Sequence, residues 1–272
     1  MFAAAAGGES HGQDGKDWRP SGRMLDPIVR SNGTFILNNV RKSYVTSAGH
    51  ATHYQMFVRY EGSSDKGPPE LLMIEADQIE CQTVGTWDAM GMRGTCSAPM
   101  VFSGSVPEEN LVGFDSTGSR EPIMNKYMMP LFFLTYGAAY LGIASGALEL
   151  GLLEGGKKYG SGSRRIDSPI NVRRFAEIST KIELARAFLH SVASLADAGK
   201  QRSLLPYLQA KVICSETATV VTEEILTVFG GTAYAKELPF ERYFRDARAG
   251  KIMGRANDQI YEDIIKILFP SD

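Results

Sequence analysis

The stretch "VFGGTAYAKELPFERYFRDARAGKIMGRAND", residues 228–258, decides how the rest of the chain is read. A glycine pair, Gly230-Gly231, closes a long apolar-patterned segment, as glycine does where a helix must stop. A Pro-x-Glu-Arg step (239–242) then leads through Arg245-Asp246-Ala247 into a further helical pattern.

Upstream of that turn the pattern is helical back to about residue 130. Helices are expected at about 130–157, 168–199, 204–230 and 246–268. The second carries the clearest stripe: Phe175, Ile178, Ile182, Ala185, Leu189, Val192 and Ala196 alternate steps of three and four, which makes a bundle seam. Ser168-Pro169 starts it, with Pro near the first turn where its missing N–H costs nothing, and Gly199 stops it. The third helix puts Ser215, Thr219 and Thr222 at bundle spacing. Either they allow close packing, or that surface meets a polar ligand or a second subunit.

Before about residue 118 the pattern changes to strands. GTFILNNVRKSYVTSAG, HYQMFVRY, LLMIEA, ECQTVGTW and APMVFSGSVP are β-branched or aromatic runs bounded by turn residues. EGSSDKGPPE (61–70) reads as a loop between strands, and DSTGSREP (115–122) as the junction. The fold class is therefore α+β. Residues 1–118 form an antiparallel β-sandwich or barrel domain, and residues 119–272 an antiparallel four-helix-bundle domain.

With 272 residues the chain has ample sequence for two cores. A net charge of −2 argues against nucleic acid as a partner, since a binder needs a basic face to pair with phosphates. The three cysteines fit no metal-ligand pattern, and the scattered histidines give no metal site. The N-terminal residues lack a basic region before a long apolar run, and no segment reads as a membrane span; Met128–Ala147 reads as a core helix. A cytoplasmic protein is the expectation.

Three places could carry chemistry. Tyr44 and Thr46 share a strand face, where an aromatic plane beside a hydroxyl suits a flat heteroaromatic ring or plain cross-strand packing. Gly230 and Gly231 either let backbone N–H groups approach a phosphate or simply cap the helix. Lys157 and Lys158 either answer the negative end of the first helix or meet a diphosphate.

Taken in order, "FILNNVRKSYVTSAGHA", "GTWDAMGMRGTCSAPMVFSGSVPEENLVG", "KIELARAF" and "VFGGTAYAKELPFERYFRDA" resemble the acyl-CoA dehydrogenase family over its middle β domain and C-terminal helical domain. The resemblance implies FAD as cofactor and an acyl-CoA or related substrate. In this chemistry a carboxylate removes the α-proton of an acyl thioester and the β-hydride passes to the flavin. On that resemblance Tyr44 stands where the family more often has a Trp against the flavin, and Thr46 is the hydroxyl beside it. Gly230 and Gly231 lie along the diphosphate of a neighbouring subunit's FAD, Lys158 replaces the usual Arg, and Thr227 replaces a frequent Gln. A dimer or tetramer is implied, or a heteromer whose second chain covers the place of the family's N-terminal helical domain, to which nothing here corresponds.

The catalytic glutamate of the family falls on Gly254, and the alternative base position falls on Phe132. Asp258, four residues after Gly254 and one turn along the expected helix, is either a displaced base or a solvated or capping acid. Three functions remain open: an acyl-CoA dehydrogenase-like oxidoreductase, a flavin-dependent monooxygenase on the same scaffold, or a non-catalytic subunit.

Overall fold

The computed structural model describes residues 2–6, 27–60, 70–113, 124–200 and 203–269. Of the loop expected at 61–70, residues 61–69 lie outside them, as does the junction expected at 115–122, while Glu70 opens a strand. The chain divides into two compact units. One comprises residues 1–89 and 93–124, the other residues 90–92 and 125–272.

The first unit is one sheet built from β1 (Phe2–Ala6), β2 (Pro27–Ser31), β3 (Thr34–Val45), β4 (His53–Tyr60), β5 (Glu70–Glu75), β6 (Glu80–Thr83), β7 (Ala98–Pro107) and β8 (Leu111–Val112). The order is β6-β7-β3-β1-β4-β5-β8, and β2 also pairs with β3 and β4. All pairs are antiparallel except that β1 and β2 run parallel to β4, a departure from the purely antiparallel expectation. These two short strands share one slot: β1 meets the Tyr44–Val45 end of β3, and β2 meets its Thr34–Ile36 end.

The long strand β3 positions the first candidate site. Its ladder with β7 shifts register between Leu37 and Val40 and again between Lys42 and Val45. Each shift adds residues to one strand and resets the inside–outside alternation. Asn39 takes the left-handed conformation at the first shift, with φ 54°, as asparagine tolerates. Phe35, Leu37, Val40, Lys42 and Val45 therefore all point inward, while Tyr44 stays outside. Tyr54, Met56, Leu72, Ile74, Met100 and Phe102 complete the core. Each such side chain contributes about 1.5–3 kcal/mol by leaving water.

The second unit is helical: α1 (Met129–Gly155), α2 (Pro169–Asp197), α3 (Leu205–Phe229), the short α4 (Gly231–Tyr234), α5 (Phe240–Ala249) and α6 (Asn257–Leu268). By length and composition α1 could cross a membrane. In this fold it is a bundle helix that buries Phe133, Tyr140, Leu141, Ala144 and Ala147. Gly137 brings it against α3, for a methyl there would lie 3.3 Å from the Ala210 carbonyl. The α2 seam is buried from Phe175 to Val192, with Ala196 partly so.

The single helix expected over 246–268 is two. Glycine at 250 and 254 favours a break, and residues 250–256 form a turn between α5 and α6. Gly254 adopts φ +77°, which a continuing helix does not allow. Lys211 of α3 holds this turn: its ammonium, on a residue 0% exposed, donates to Gly250 O at 2.8 Å, Arg255 O at 2.7 Å and Asn257 Oδ1 at 2.7 Å. Three uncharged oxygens thus take the place of water around a buried ammonium that would be far costlier without them.

Candidate functional site

The turn at Gly254 holds the residue on which the sequence reading hinged. A methyl group built on Gly254 would come 2.9 Å from Tyr136 Cε1, 3.0 Å from its Cζ and 3.1 Å from Phe132 Cζ. Carbon atoms at rest stand about 3.5–4.0 Å apart, so two rings of α1 occupy the place of any side chain there. Positions 254 and 132, both noted in the sequence as lacking a carboxylate, are neighbours in space. Phe132 and Tyr136 pair with centroids 4.7 Å apart, flanked by Phe133 at 5.4 Å from Phe132 and Tyr140 at 5.9 Å from Tyr136. Burial raises the Tyr136 phenol above its usual range.

Asp258 sits exposed in the first turn of α6. The expectation that it shares a helix face with Gly254 is corrected: the 250–256 turn intervenes, so the spacing of four residues is not one helical pitch. Its neighbour Asn257 is buried and donates Nδ2 to Ser215 Oγ at 3.1 Å. Ser215, Thr219 and Thr222 turn inward, the two threonines donating to carbonyls one turn back at 3.0 and 2.8 Å. Within this unit they serve close packing.

The Arg-Asp-Ala motif is fixed by a segment the sequence placed with the strands. Asp246 Oδ1 accepts the Met92 N–H at 2.5 Å, and Arg245 Nη1 donates to Met90 O at 2.5 Å. Gly91 lies so close that a side chain would collide with the Arg245 carbonyl. The glycine and the acid–base spacing are visible in "AMGMRG" and "FRDA", but their pairing is not, because 154 positions separate them.

At the glycine pair, Gly230 caps α3 with φ 56° and Gly231 opens α4. Both are exposed, and a methyl on either would meet nothing within 4 Å. The backbone is therefore open to a ligand. Lys158 is exposed and pairs through its backbone with Arg164. The residue the sequence reading missed is Arg165. Its guanidinium lies between the rings of Tyr159 and Phe229, 4.8 and 4.9 Å from their centroids. It donates to Val228 O at 3.0 Å and Thr232 Oγ1 at 3.3 Å, and its buried Nε has no hydrogen-bond partner among the described residues. Arg164 orients the segment by pairing with Asp167, whose carboxyl it holds below the usual range.

On the sheet, β3 ends at Val45, so Thr46 belongs to the following turn. Tyr44 and Thr46 are nevertheless both exposed, Tyr44 at 51%. Trp87 meets Tyr44 edge to face at 6.2 Å, leaving much of the Tyr44 ring available. Ser47, at φ 55°, donates its N–H to Thr95 O at 2.8 Å and holds the turn.

An aromatic plane beside a hydroxyl, an open glycine turn with a guanidinium beside it, and a cation at Lys158 suit a flavin ring system and a diphosphate. Residues 134–268 match the family model for the acyl-CoA dehydrogenase C-terminal domain. The chain is 26% identical over 237 residues to the cyclohexane-1-carbonyl-CoA dehydrogenase of Geobacter metallireducens, covering 87% of this chain and 61% of that protein. It is 28% identical over 236 residues to the amino sugar nitrososynthase of Streptomyces peucetius, covering 82% of this chain and 56% of that protein. The structure of butyryl-CoA dehydrogenase from Megasphaera elsdenii matches the fold with a TM-score of 0.83 at 23% identity, over 98% of this chain and 68% of that one. The chain thus spans little more than half the length of these curated relatives.

Proposed function

Since this chain belongs to the acyl-CoA dehydrogenase family, we propose that it serves as an FAD-dependent oxidoreductase acting on the CH–CH group of an acyl thioester in the cytoplasm. The observation that carries this reading is the exposed Tyr44–Thr46 pair, held out of the sheet core by the second register shift of β3. Tyr44 and Thr46 would hold the flavin ring system of one FAD, and Gly230, Gly231, Lys158 and Arg165 the diphosphate of a neighbouring subunit's FAD, in an oligomer of two or four chains. FAD, when bound, supplies the hydride acceptor. This chain's own task is to orient the thioester and to take its α-proton. With positions 254 and 132 lacking carboxylates, that task would fall to Asp258, an exposed residue in the first turn of α6.

A second reading is favoured by the rings packed over Gly254. A flavin-dependent monooxygenase needs no α-proton base, and one similar protein is named as an amino sugar nitrososynthase. The two readings separate on FAD-loaded protein. Anaerobic bleaching of the oxidised-flavin band by a panel of acyl-CoAs supports the dehydrogenase reading. Absence of bleaching, with oxygen uptake when reduced flavin is supplied, replaces it with the second. Inability to hold FAD at all removes both.

A further inference from the structure

A single buried ammonium joins α3 to the turn before α6. The three N–H groups of Lys211 match three acceptors, Gly250 O, Arg255 O and Asn257 Oδ1, at 2.7–2.8 Å. The first two lie within the 250–256 turn, and the third belongs to the first residue of α6. Asn257 is held from the same side: its N–H donates to Lys251 O at 2.9 Å and its Nδ2 to Ser215 Oγ at 3.1 Å. A charged lysine has three donors and no lone pair. Once neutral it keeps two donors and gains a lone pair, so one of the three oxygens loses its donor and faces that lone pair. Leaving a buried acceptor unpaired is costly, and the part that can yield is the turn. The opposite partner, α3, is a helix of 25 residues set in the core.

All three acceptors are uncharged, so none of them fixes the proton on Lys211. Burial pushes the ammonium down to about 8, and Glu216, further along α3, opposes this. Glu216 in turn accepts the Tyr261 O–H of α6 at 3.0 Å. Of other ionisable groups on the elements packed against α3, Asp258, Arg248 and His190 are exposed. Asp246 of α5 accepts the Met92 N–H, and the Arg255 guanidinium pairs with Asp263. The Tyr136 and Tyr140 phenols of α1 are raised above their usual range by burial.

We propose that Lys211 is a proton-operated latch: charged, it holds the 250–256 turn closed on α3, and neutral, it releases that turn and the first turn of α6. Asp258 directly follows Asn257, so the placement of this acid follows the proton on Lys211. The latch itself does not depend on the reaction proposed above.

The test is a pH titration of the full chain by NMR, labelled with carbon-13 at lysine Cε and nitrogen-15 in glycine. The Lys211 signal is the one missing from Lys211→Met. It should titrate with a midpoint of about 8, and the Gly250 and Gly254 amide signals should shift with the same midpoint, whereas Gly151 within α1 should not. In Lys211→Met that glycine shift should vanish. Asn257→Asp sets a carboxylate against the ammonium and should raise the lysine and glycine midpoints together by at least about 1 in pH. A Lys211 signal that titrates while Gly250 and Gly254 stay in place overturns the latch. So does a glycine shift that persists in Lys211→Met, or one that keeps its midpoint in Asn257→Asp. Should Lys211→Met fail to fold, the displaced midpoint in Asn257→Asp identifies the Lys211 signal and still decides.

Discussion

Replacing Gly254 by alanine should destabilise the helical unit by an amount that can be assembled from its surroundings. At φ +77° an L-residue costs about 1–2 kcal/mol relative to glycine. The added methyl would stand 2.9–3.1 Å from the rings of Tyr136 and Phe132. Moving packed rings to relieve such overcrowding costs about 1–3 kcal/mol. Because Gly254 is exposed on one side, the rings can give way in part, and the sum comes to about 2–4 kcal/mol. The assay is equilibrium urea denaturation followed by far-ultraviolet circular dichroism, which reports mainly on the bundle. A lowered midpoint with unchanged slope is the expected form. In a Tyr136→Ala background the steric part should largely vanish, leaving about 1–2 kcal/mol for the backbone. The double-mutant cycle should therefore return about 1–2 kcal/mol of coupling. A cost below about 0.5 kcal/mol, or one identical in both backgrounds, would refute the idea that these rings fill the position.

Four further outcomes are expected. Lys211→Met strips donors from Gly250 O, Arg255 O and Asn257 Oδ1, and at about 1–3 kcal/mol for each buried acceptor it should cost at least about 3 kcal/mol and speed amide exchange across 250–257. Burial pushes the Lys211 ammonium down to about 8 from 10.5, so between those values the unfolded chain holds more protons and this group makes stability rise with pH. Below about 8 both states are protonated and its penalty is constant; a wild-type minus Lys211→Met difference that stays flat from pH 8 to 10 would exclude the effect. Asp258→Asn should slow anaerobic flavin bleaching by at least about a hundredfold, the lower end of what a general base contributes; an unchanged rate removes Asp258 from that role. Arg165→Ala should weaken FAD binding about tenfold or more, as loss of a charge-assisted partner does, measured by flavin fluorescence, whereas unchanged affinity leaves Arg165 a structural cap of α3.

The repeating patterns were legible from sequence and the discontinuities were not. Phe175 through Val192 announced the α2 seam because three–four spacing maps directly onto one helix face. The strands β3 to β7 announced themselves by β-branched runs between turn residues. The break between α5 and α6 had a sequence signal in Gly250 and Gly254 that the helical pattern on either side masked, and its stabiliser, Lys211, lies 39 positions before Gly250. Only folding brings a lysine to carbonyls so far along the chain. The same holds for Arg165, whose value depends on Val228 and Thr232, and for Met90–Met92, which fasten to Arg245 and Asp246. Thr46 was placed with Tyr44 by strand alternation, yet it reaches the surface from a turn, after a register shift that alternation alone does not reveal. The absence of carboxylates at 254 and 132 was plain in the sequence. That the two positions are neighbours, and that the Tyr136 ring packs against both, required the fold.

The most direct test of the dehydrogenase reading is the mass of the acyl group after anaerobic incubation with the FAD-loaded chain. An acyl-CoA that has lost two hydrogen atoms, in equal amount to flavin reduced, is the expected result. An acyl-CoA of unchanged mass beside fully oxidised flavin would contradict it.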